Sequence, residues 1–323
     1  MSLTIWCNTK FSDAVTKRLV DGAKPHRVIL STNASASVLA GGTKDLSIAE
    51  ADIVFGQPSV EDCVDHSRIR WIELSTAGYT RYDREDFKEI LRKRGVPLTS
   101  ASQVYAESCA QHVLAMMLGL ARQLPHAMRD QVTDRSWRWS EHRYNSRSLV
   151  GQTVLLLGFG AIGRRLVELL ATFRMTVLAL RRQSRRESTV RVIPAEKVSS
   201  ALAESDHVVN ILPENDSTLG YVNARRLACC KLGARFYNVG RGTTVDQTAL
   251  LEALQSRRLD AAYLDVTDPE PLPVEHPFWT TPNCFITPHA AGGRYDEDEA
   301  LVNHFLANLA AFQAGTQLTD RVI

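Results

Sequence analysis

The segment Gly158–Gly163, which reads Gly-Phe-Gly-Ala-Ile-Gly, constrains the fold of this chain more than any other part of the sequence. It follows the apolar run Thr153–Leu157, precedes the helix-like stretch Arg164–Phe173, and is succeeded by a second apolar run, Met175–Leu180. Glycine-rich turns also occur for purely steric reasons, so the motif alone is a weak signal. The order of strand, glycine turn, helix and strand predicts a dinucleotide-binding site.

The residues of this turn have separate expected tasks. Gly158 allows a tight turn off the strand, and Gly160 lets the backbone approach a pyrophosphate. Gly163 lets the helix pack close to the sheet. Ala161 and Ile162 lie at the start of the helix, where free N–H groups bind phosphate. We therefore expect all five residues to contribute to cofactor binding.

Arginines stand where the second strand of this unit ends. The run Leu180–Arg186 reads Leu-Arg-Arg-Gln-Ser-Arg-Arg, and the first carboxylate after it is Glu187. An acidic residue at this point would accept from the ribose of NAD and repel the 2′-phosphate of NADP, whereas guanidinium groups bind that phosphate. The alternative is a solvated basic loop. We expect Arg181, Arg182 and Ser184 to bind the 2′-phosphate, so that NADP is preferred over NAD.

Composition sets wide limits. The chain has 323 residues, of which 44% are hydrophobic and 23% charged, with a net charge of +2. This length predicts two domains, and the near-neutral charge gives no case for a nucleic-acid partner. Residues 1–10 lack a basic flank before a long apolar core, and no apolar stretch is long enough to span a bilayer, so we expect a cytoplasmic protein without a membrane partner. The six cysteines lack Cys-x-x-Cys spacing, which favours reduced thiols.

Short apolar runs alternate with amphipathic segments along most of the chain. Such alternation predicts α/β domains in which helices cover parallel sheets. In the first hundred residues, strands are predicted at Leu3–Cys7, Arg27–Leu30, Ala51–Phe55 and Arg70–Leu74. From Val150 onward, strands are predicted at Thr153–Leu157, Thr176–Leu180, His207–Leu212, Ala234–Val239, Ala261–Val266 and Cys284–Thr287.

The remaining segments suggest how two such domains are joined. A long helix is predicted at Ala106–Arg122, and an amphipathic helix at Asp296–Phe312 ends the chain with no strand left to pair. That last helix is expected to pack on the first domain. We therefore predict two doubly wound parallel-sheet domains: a Rossmann nucleotide-binding domain, residues 103–289, inserted into a flavodoxin-like substrate domain, residues 1–102 and 290–323. A small ligand would lie in a cleft between them.

Three polar residues follow the ends of strands in the second half: Arg241, Glu270 and His289. Carboxyl ends of strands in an open α/β sheet face the same crevice. Singly, each has an ordinary alternative, namely a helix-capping arginine, a solvated glutamate and a structural histidine. Together they suit reduction of a 2-keto acid, because His289 can supply a proton, Glu270 can orient it and favour the imidazolium, and Arg241 can bind the carboxylate and polarise the carbonyl. The histidines lack metal-ligand spacing, so no metal site is expected.

With these motifs the chain resembles the D-isomer-specific 2-hydroxyacid dehydrogenases over most of its length. Several ordered motifs carry the resemblance together. They are Ser75–Gly78, Leu149–Thr153, the glycine turn, Leu212-Pro213 with Thr218, Val239–Gly242, Leu264–Val266, Glu270–Pro273 and Thr287–His289.

The resemblance implies roles for individual residues. Arg241, Glu270 and His289 match the catalytic trio of the family. Asp265 matches the residue that contacts the nicotinamide carboxamide, and the N–H groups of Ala77 and Gly78 match those that receive the substrate carboxylate, which Arg241 also binds. The residues that match further cofactor contacts are Leu212 and Pro213 on the adenine side, Thr218 and Val239.

The resemblance also implies a homodimer joined through the nucleotide domains. The polar, arginine-rich segment Asp130–Ser148 carries Trp137 and Trp139 and does not look like core. We expect an arm around residues 125–148 to cross to the partner subunit.

One departure from the family pattern concerns the long helix, which reads Cys109-Ala110-Gln111-His112 where the family often has Val-Ala-Glu-His. The arginines after Leu180 instead resemble those of NADPH-using glyoxylate and hydroxypyruvate reductases. We therefore expect an NADPH-dependent reductase of small 2-keto acids such as glyoxylate and hydroxypyruvate, in a length that leaves no room for a regulatory domain. An NAD-dependent phosphoglycerate-type dehydrogenase is disfavoured by Arg181 and Arg182. A non-catalytic, corepressor-like cofactor sensor is disfavoured by the intact trio.

Overall fold

The structure, a computed structural model, describes residues 2–35, 44–181 and 190–323. The chain forms two compact units, the first made of Met1–Tyr105 and Arg294–Ile323 and the second of Ala106–Gly293. The second unit is thus inserted in sequence between the two parts of the first. Among the described residues, no helix combines the length and the hydropathy needed to cross a membrane.

The first unit is built on a five-stranded parallel sheet. Up to the long helix that leads into the second unit, its elements are β1 (Thr4–Thr9), α1 (Asp13–Gly22), β2 (Arg27–Ser35), β3 (Ile53–Gly56), α2 (Val60–Asp65), β4 (Trp71–Leu74), α3 (Glu85–Arg94), β5 (Leu98–Thr99) and α4 (Ser102–Ala121). The strand order is β2-β1-β3-β4-β5, and every pair is parallel. This is the flavodoxin-like order, which confirms the predicted fold class.

The second unit is built on a seven-stranded parallel sheet. Its elements after α4 are α5 (Leu124–Thr133), α6 (Trp139–Asn145), β6 (Thr153–Leu157), α7 (Ala161–Leu170), β7 (Thr176–Leu180), β8 (Arg191–Ile193), α8 (Val198–Glu204), β9 (His207–Asn210), α9 (Ala224–Cys229), β10 (Ala234–Asn238), α10 (Gln247–Gln255), β11 (Leu259–Leu264) and β12 (Cys284–Ile286). The strand order is β12-β11-β10-β9-β6-β7-β8.

This order is that of a Rossmann sheet with one added strand, as predicted. The direction in which successive strands are added reverses between β6 and β9. In open α/β sheets, ligands bind outside the carboxyl ends of the strands at such a switch point. The glycine turn, which follows β6, therefore lies at the expected ligand edge of this unit.

The last helix, α11 (Glu297–Ala314), belongs to the first unit and contributes to its core. The side chain of Phe305 on α11 is fully buried. Its ring stacks on Phe55 of β3 at a centroid distance of 4.4 Å and on Trp71 of β4 at 5.3 Å. The end of the chain is thus held to the sheet formed by its beginning.

Several predicted bounds were wrong. Strands β5 and β8 were not predicted, because strands of two and three residues are too short to show alternation. Helices α5 and α6 were not predicted either, because most of their side chains are exposed and leave no apolar period. The long helix begins at Ser102, four residues before the predicted Ala106.

Replacement of Phe305 by alanine tests this packing. We expect Phe305→Ala to lower the free energy of unfolding by about 3–5 kcal/mol, because it leaves a cavity between two buried rings. Phe312→Ala is the matched control, since Phe312 also stacks on Trp71, at 5.4 Å, but is only partly buried. Urea unfolding measures both. Equal losses for the two variants would show that α11 does not depend on the buried ring stack.

Candidate active site

The turn after β6 fits a dinucleotide phosphate. Gly158 has a φ of +101°, and a Cβ atom there would lie 2.9 Å from the carbonyl oxygen of Ile211, so no other residue fits without a shift. Helix α7 begins directly after Gly160, and no side chain among the described residues caps it. Its first N–H groups, those of Ala161, Ile162 and Gly163, therefore remain available to an anion.

The space in front of this turn is open. A Cβ atom at Gly160 would meet no atom of the described residues within 4 Å, whereas one at Gly163 would lie 3.2 Å from the ring of Phe159. Gly163 is thus packed against the turn, and Gly160 leaves room for a ligand to approach the backbone. This combination suits the pyrophosphate of a nicotinamide dinucleotide.

The loop after β9 forms the other side of the switch point. Leu212 is buried and Pro213 is exposed. The buried Thr218 donates a hydrogen bond to the carbonyl oxygen of Pro213 (2.6 Å) and accepts one from the N–H of Asn215 (2.9 Å). Thr218 therefore closes this loop on itself.

Residues predicted to bind the 2′-phosphate are only partly described. Arg181 directly follows β7 and is half-buried. Arg182 and Ser184 lie outside the described residues.

The loops after β10 and β11 are in direct backbone contact. A Cβ atom at Gly242 would lie 2.0 Å from the carbonyl carbon of Thr267, so only glycine allows this approach. Val239, at the end of β10, is buried. The contact brings Arg241 and Glu270 to the same edge of the sheet, as the sequence predicts.

The backbone of Arg241 is fixed by a buried polar network. Its carbonyl oxygen accepts hydrogen bonds from Asn238 Nδ2 (3.1 Å) and Thr244 Oγ1 (2.6 Å). Asn210 Nδ2 donates to Asn238 Oδ1 (2.9 Å) and to Thr244 Oγ1 (2.7 Å). The guanidinium of Arg241, which is half-buried, donates to the carbonyl oxygen of Gly240 (2.7 Å). The polar network therefore fixes the backbone from which the Arg241 side chain extends.

Sequence reasoning missed Asn210 and Asn238. The sequence shows only that each asparagine follows a buried apolar run, and the structure shows that each ends its strand and that the two are register partners on β9 and β10. An amide that follows a buried apolar run must find a partner, and an amide on the next strand supplies one.

Glu270 and His289 form a hydrogen-bonded pair. His289 Nδ1 lies 2.8 Å from Glu270 Oε2, and Glu270 Oε1 accepts from the N–H of Thr267 (3.1 Å). Partial burial raises the pKa of the Glu270 carboxyl, but the hydrogen bond and charge of His289, the Thr267 N–H and the Arg241 charge outweigh it, so that the net pKa lies below its ordinary value. The carboxylate is therefore ionised near neutral pH and accepts the Nδ1 proton of His289.

His289 has an uncommon backbone conformation. Its φ is +52°, in the left-handed region, which costs a non-glycine residue about 1–3 kcal/mol. Its N–H donates to the carbonyl oxygen of Asp265 (2.8 Å). The carboxylate of Asp265, which is buried, accepts from the N–H groups of Ala290 (2.8 Å) and Ala291 (3.0 Å). Asp265 thus fixes the backbone that directly follows His289.

The predicted carboxylate-binding residues of the first unit lie in the loop after β4. Ala77 and Gly78 are half-buried, and the carbonyl oxygen of Gly78 accepts from Thr76 Oγ1 (2.6 Å). The N–H groups of Ala77 and Gly78 donate no hydrogen bond to another of the described residues. Two such backbone donors suit a carboxylate.

Comparison with known proteins places the chain in a family. Residues 114–291, more than half of the chain, match the family model "D-isomer specific 2-hydroxyacid dehydrogenase, NAD binding domain". The glyoxylate reductase of Pyrococcus furiosus is 31% identical over 259 residues, which cover 77% of this chain and 74% of that protein.

Two solved structures agree over the whole chain. One is a D-isomer-specific 2-hydroxyacid dehydrogenase from Xanthobacter autotrophicus in complex with NADPH and MES, with 26% identity, a TM-score of 0.82, and coverage of 100% of this chain and 98% of that one. The other is an NADPH-dependent glyoxylate/hydroxypyruvate reductase from Sinorhizobium meliloti in complex with NADP and malonate, with 25% identity, a TM-score of 0.75, and coverage of 100% and 97%. With its two parallel sheets, its glycine turn and these matches, the chain belongs to the D-isomer-specific 2-hydroxyacid dehydrogenase family of NAD(P)-dependent oxidoreductases.

Proposed function

We propose that this protein reduces small 2-keto acids, of which glyoxylate and hydroxypyruvate fit best, to D-2-hydroxy acids and that it prefers NADPH over NADH. The observation that carries the proposal is the 2.8 Å hydrogen bond between Glu270 and His289 at the ligand edge of a Rossmann sheet. The relatives named as glyoxylate or hydroxypyruvate reductases support the substrate class.

Some residues of the proposed site bind the cofactor, and others bind the substrate. The glycine turn (Gly158, Gly160, Ala161, Ile162 and Gly163) holds the pyrophosphate, and Arg181, Arg182 and Ser184 hold the 2′-phosphate. Leu212, Pro213, Thr218, Val239 and Asp265 complete the cofactor site. When bound, NADPH would supply the hydride for the 2-carbon of the substrate.

The substrate is held by charge and by backbone donors. The Arg241 guanidinium binds the carboxylate and polarises the carbonyl oxygen, and the N–H groups of Ala77 and Gly78 bind the carboxylate as well. The protonated ring of His289 donates a proton from Nε2 to the emerging alkoxide. Its Nδ1 keeps its proton and donates it in the hydrogen bond to Glu270. The carboxylate thereby orients the ring and stabilises its positive charge. The domains 1–102 with 290–323 and 103–289 then serve as substrate and dinucleotide-binding domains.

Oxidation of NADPH and of NADH by the purified protein tests this function. The substrates are glyoxylate, hydroxypyruvate, pyruvate, phenylpyruvate and 3-phosphohydroxypyruvate. We expect the highest kcat/KM with NADPH and glyoxylate or hydroxypyruvate. A preference for NADH with 3-phosphohydroxypyruvate would support the phosphoglycerate-type alternative. Cofactor binding without turnover of any of the five acids would support the cofactor-sensing alternative.

The cofactor preference depends on the arginines after β7. We expect the double variant Arg181→Ala/Arg182→Ala to lose roughly two to four decades of affinity for NADPH and little for NADH, because each of the two charge-assisted bonds to the 2′-phosphate contributes about 1.5–3 kcal/mol. Fluorescence titration measures both affinities. An equal loss for the two cofactors would contradict the assignment.

The pairing of Glu270 with His289 predicts a pH dependence. Reduction needs a protonated His289, and the ionised carboxylate of Glu270 stabilises that protonated ring through its charge and its hydrogen bond. The neutral amide of Glu270→Gln gives no such support, so we expect the alkaline limb of kcat to move to lower pH while activity at acid pH largely persists. Because the pKa of Glu270 is lowered, its carboxylate stays ionised at pH values at which an ordinary glutamate is already protonated. The wild-type pair therefore stays intact at those pH values.

The matched control for this variant is Glu275→Gln, a neighbouring exposed glutamate. It should leave the pH profile unchanged. An alkaline limb of Glu270→Gln that coincides with that of the wild type would show that Glu270 does not support the charge on His289.

We further propose that the protein is a homodimer joined through the arm of residues 125–148. The apolar side chains of this arm are unusually exposed: Trp137 is 91% exposed, Val132 81% and Tyr144 73%. A cavity of about 860 Å³ is lined by Trp137 and Trp139 with arginines around them. Monomers rarely leave such a patch uncovered.

Sedimentation of the wild type and two charge variants tests the dimer. We expect Val132→Glu, in the arm, to shift a dimer to monomers. Val274→Glu, which is 83% exposed outside the arm, is the matched control and should leave the dimer intact. A monomeric wild type, or equal behaviour of the two variants, would contradict the proposal.

A further inference from the structure

We propose that His112 and Tyr263 are positioning residues of the active site. With Thr287 and Asp265 they form a hydrogen-bonded chain that fixes the backbone on which His289 stands. This inference rests on the proposed function, because it concerns the residue that donates the proton.

The chain runs from helix α4 to the loop after β12. His112 Nε2 is hydrogen-bonded to the hydroxyl of Tyr263, and that hydroxyl is hydrogen-bonded to Thr287 Oγ1. Thr287 Oγ1 in turn donates to Asp265 Oδ1 (2.5 Å) and lies 3.4 Å from His112 Nε2. The whole path lies within the second unit and connects three elements of it: α4, β11 and the segment after β12.

The carboxylate of Asp265, at the end of this hydrogen-bonded chain, determines which group donates in each of its bonds. A carboxylate only accepts, so Thr287 donates to Asp265. The Thr287 oxygen must then accept from Tyr263, whose single hydroxyl proton is used in that bond. The Tyr263 oxygen accepts in its turn, and His112 must therefore carry a proton on Nε2. Burial raises the pKa of the Tyr263 phenol, which keeps this proton in place.

The carboxylate of Asp265 links this hydrogen-bonded chain to the backbone around His289. One oxygen of the carboxylate accepts from Thr287 and from the N–H of Ala290, and the other accepts from the N–H of Ala291. Thr287 lies two residues before His289, and Ala290 and Ala291 directly follow it. The left-handed conformation of His289, at a φ of +52°, is thus held from both sides. Such a conformation persists only where the surroundings over-determine it.

The functional consequence is a ring held in one place. A histidine that must meet both Glu270 and a substrate oxygen loses activity when its backbone relaxes, because proton transfer depends on distance. Removal of the Tyr263 hydroxyl takes away the nearer partner of both His112 and Thr287 and leaves only the 3.4 Å contact between Thr287 Oγ1 and His112 Nε2. The anchor of Asp265 then loosens, although none of the changed groups contacts the substrate.

The experiment compares two tyrosine variants. Tyr263→Phe breaks the chain at its middle. Tyr237→Phe is the matched control, because Tyr237 is the register partner of Tyr263 on β10, is equally buried and is bonded to a histidine, His207 Nδ1, at 3.0 Å. Tyr237 has no link to Asp265 among the described residues. Both variants are measured for thermal stability, kcat, KM and NADPH affinity.

We expect both variants to lose similar thermal stability but only Tyr263→Phe to lose turnover. Its kcat should fall roughly five- to thirtyfold, the effect of about one to two hydrogen bonds, with KM and NADPH affinity nearly unchanged. Equal stability losses with wild-type kcat in both variants would overturn the proposal, since the hydroxyl would then be merely structural.

Substitutions at His112 test the other end of the hydrogen-bonded chain. They also replace Tyr263→Phe as the test if that variant does not fold. His112→Gln retains an N–H donor toward Tyr263 and should keep most of the turnover. His112→Leu removes the donor and should behave as Tyr263→Phe does. Equal kcat values for these two His112 variants would contradict the proposed proton direction.

A readout without turnover separates this inference from the proposed function. The ¹⁵N resonance of His289 Nδ1 reports its hydrogen bond to Glu270 in the protein without substrate. We expect it to shift in Tyr263→Phe and His112→Leu and to stay in place in Tyr237→Phe. An inactive wild type in which the resonance still shifts this way would refute the proposed reaction but not the positioning. An active wild type whose resonance is the same in all variants would refute the positioning alone.

Discussion

A buried carboxylate joins the strand ends on which this site depends. Asp265 is the first residue after β11, and its two oxygens accept from the backbone on the far side of His289 and from Thr287 before it. A buried charge is tolerated only where hydrogen bonds satisfy it, and here the bonds come from the segment that carries the histidine. The hydrogen bonds that satisfy Asp265 thus fix the segment that carries His289, whose own backbone is left-handed.

The same constraint separates the groups that fix the backbone from those proposed to react with the substrate. Asp265, Asn210 and Asn238 are buried and hydrogen-bonded, and they fix the backbones of His289 and Arg241. The side chains of Glu270 and His289 remain about one-third exposed, at 33% and 29%. Groups that must exchange protons with a substrate need this access, whereas groups that hold the backbone gain strength from burial.

Within each unit, the residues proposed to bind ligands follow the ends of parallel strands. In the second unit, the strand order reverses between β6 and β9, and the glycine turn and the Leu212 loop follow those two strands. The loops after β10, β11 and β12 carry Arg241, Glu270 and His289 along the same edge. In the first unit, the loop after β4 carries the N–H groups of Ala77 and Gly78, which have no hydrogen-bond acceptor among the described residues. Parallel topology produces this grouping, because all strand ends of one polarity lie at one edge.

The sequence by itself determined the two sheets, the glycine turn and the identity of Arg241, Glu270 and His289, because apolar periodicity and strand-end positions are local properties of the chain. It did not reveal Asn210 and Asn238 as supports of Arg241, nor the path from His112 through Tyr263 and Thr287. Those contacts join residues up to 175 positions apart, and their partners are chosen by strand order and register. Only the tertiary structure decided them, since a buried polar side chain bonds whichever group the packing brings within reach.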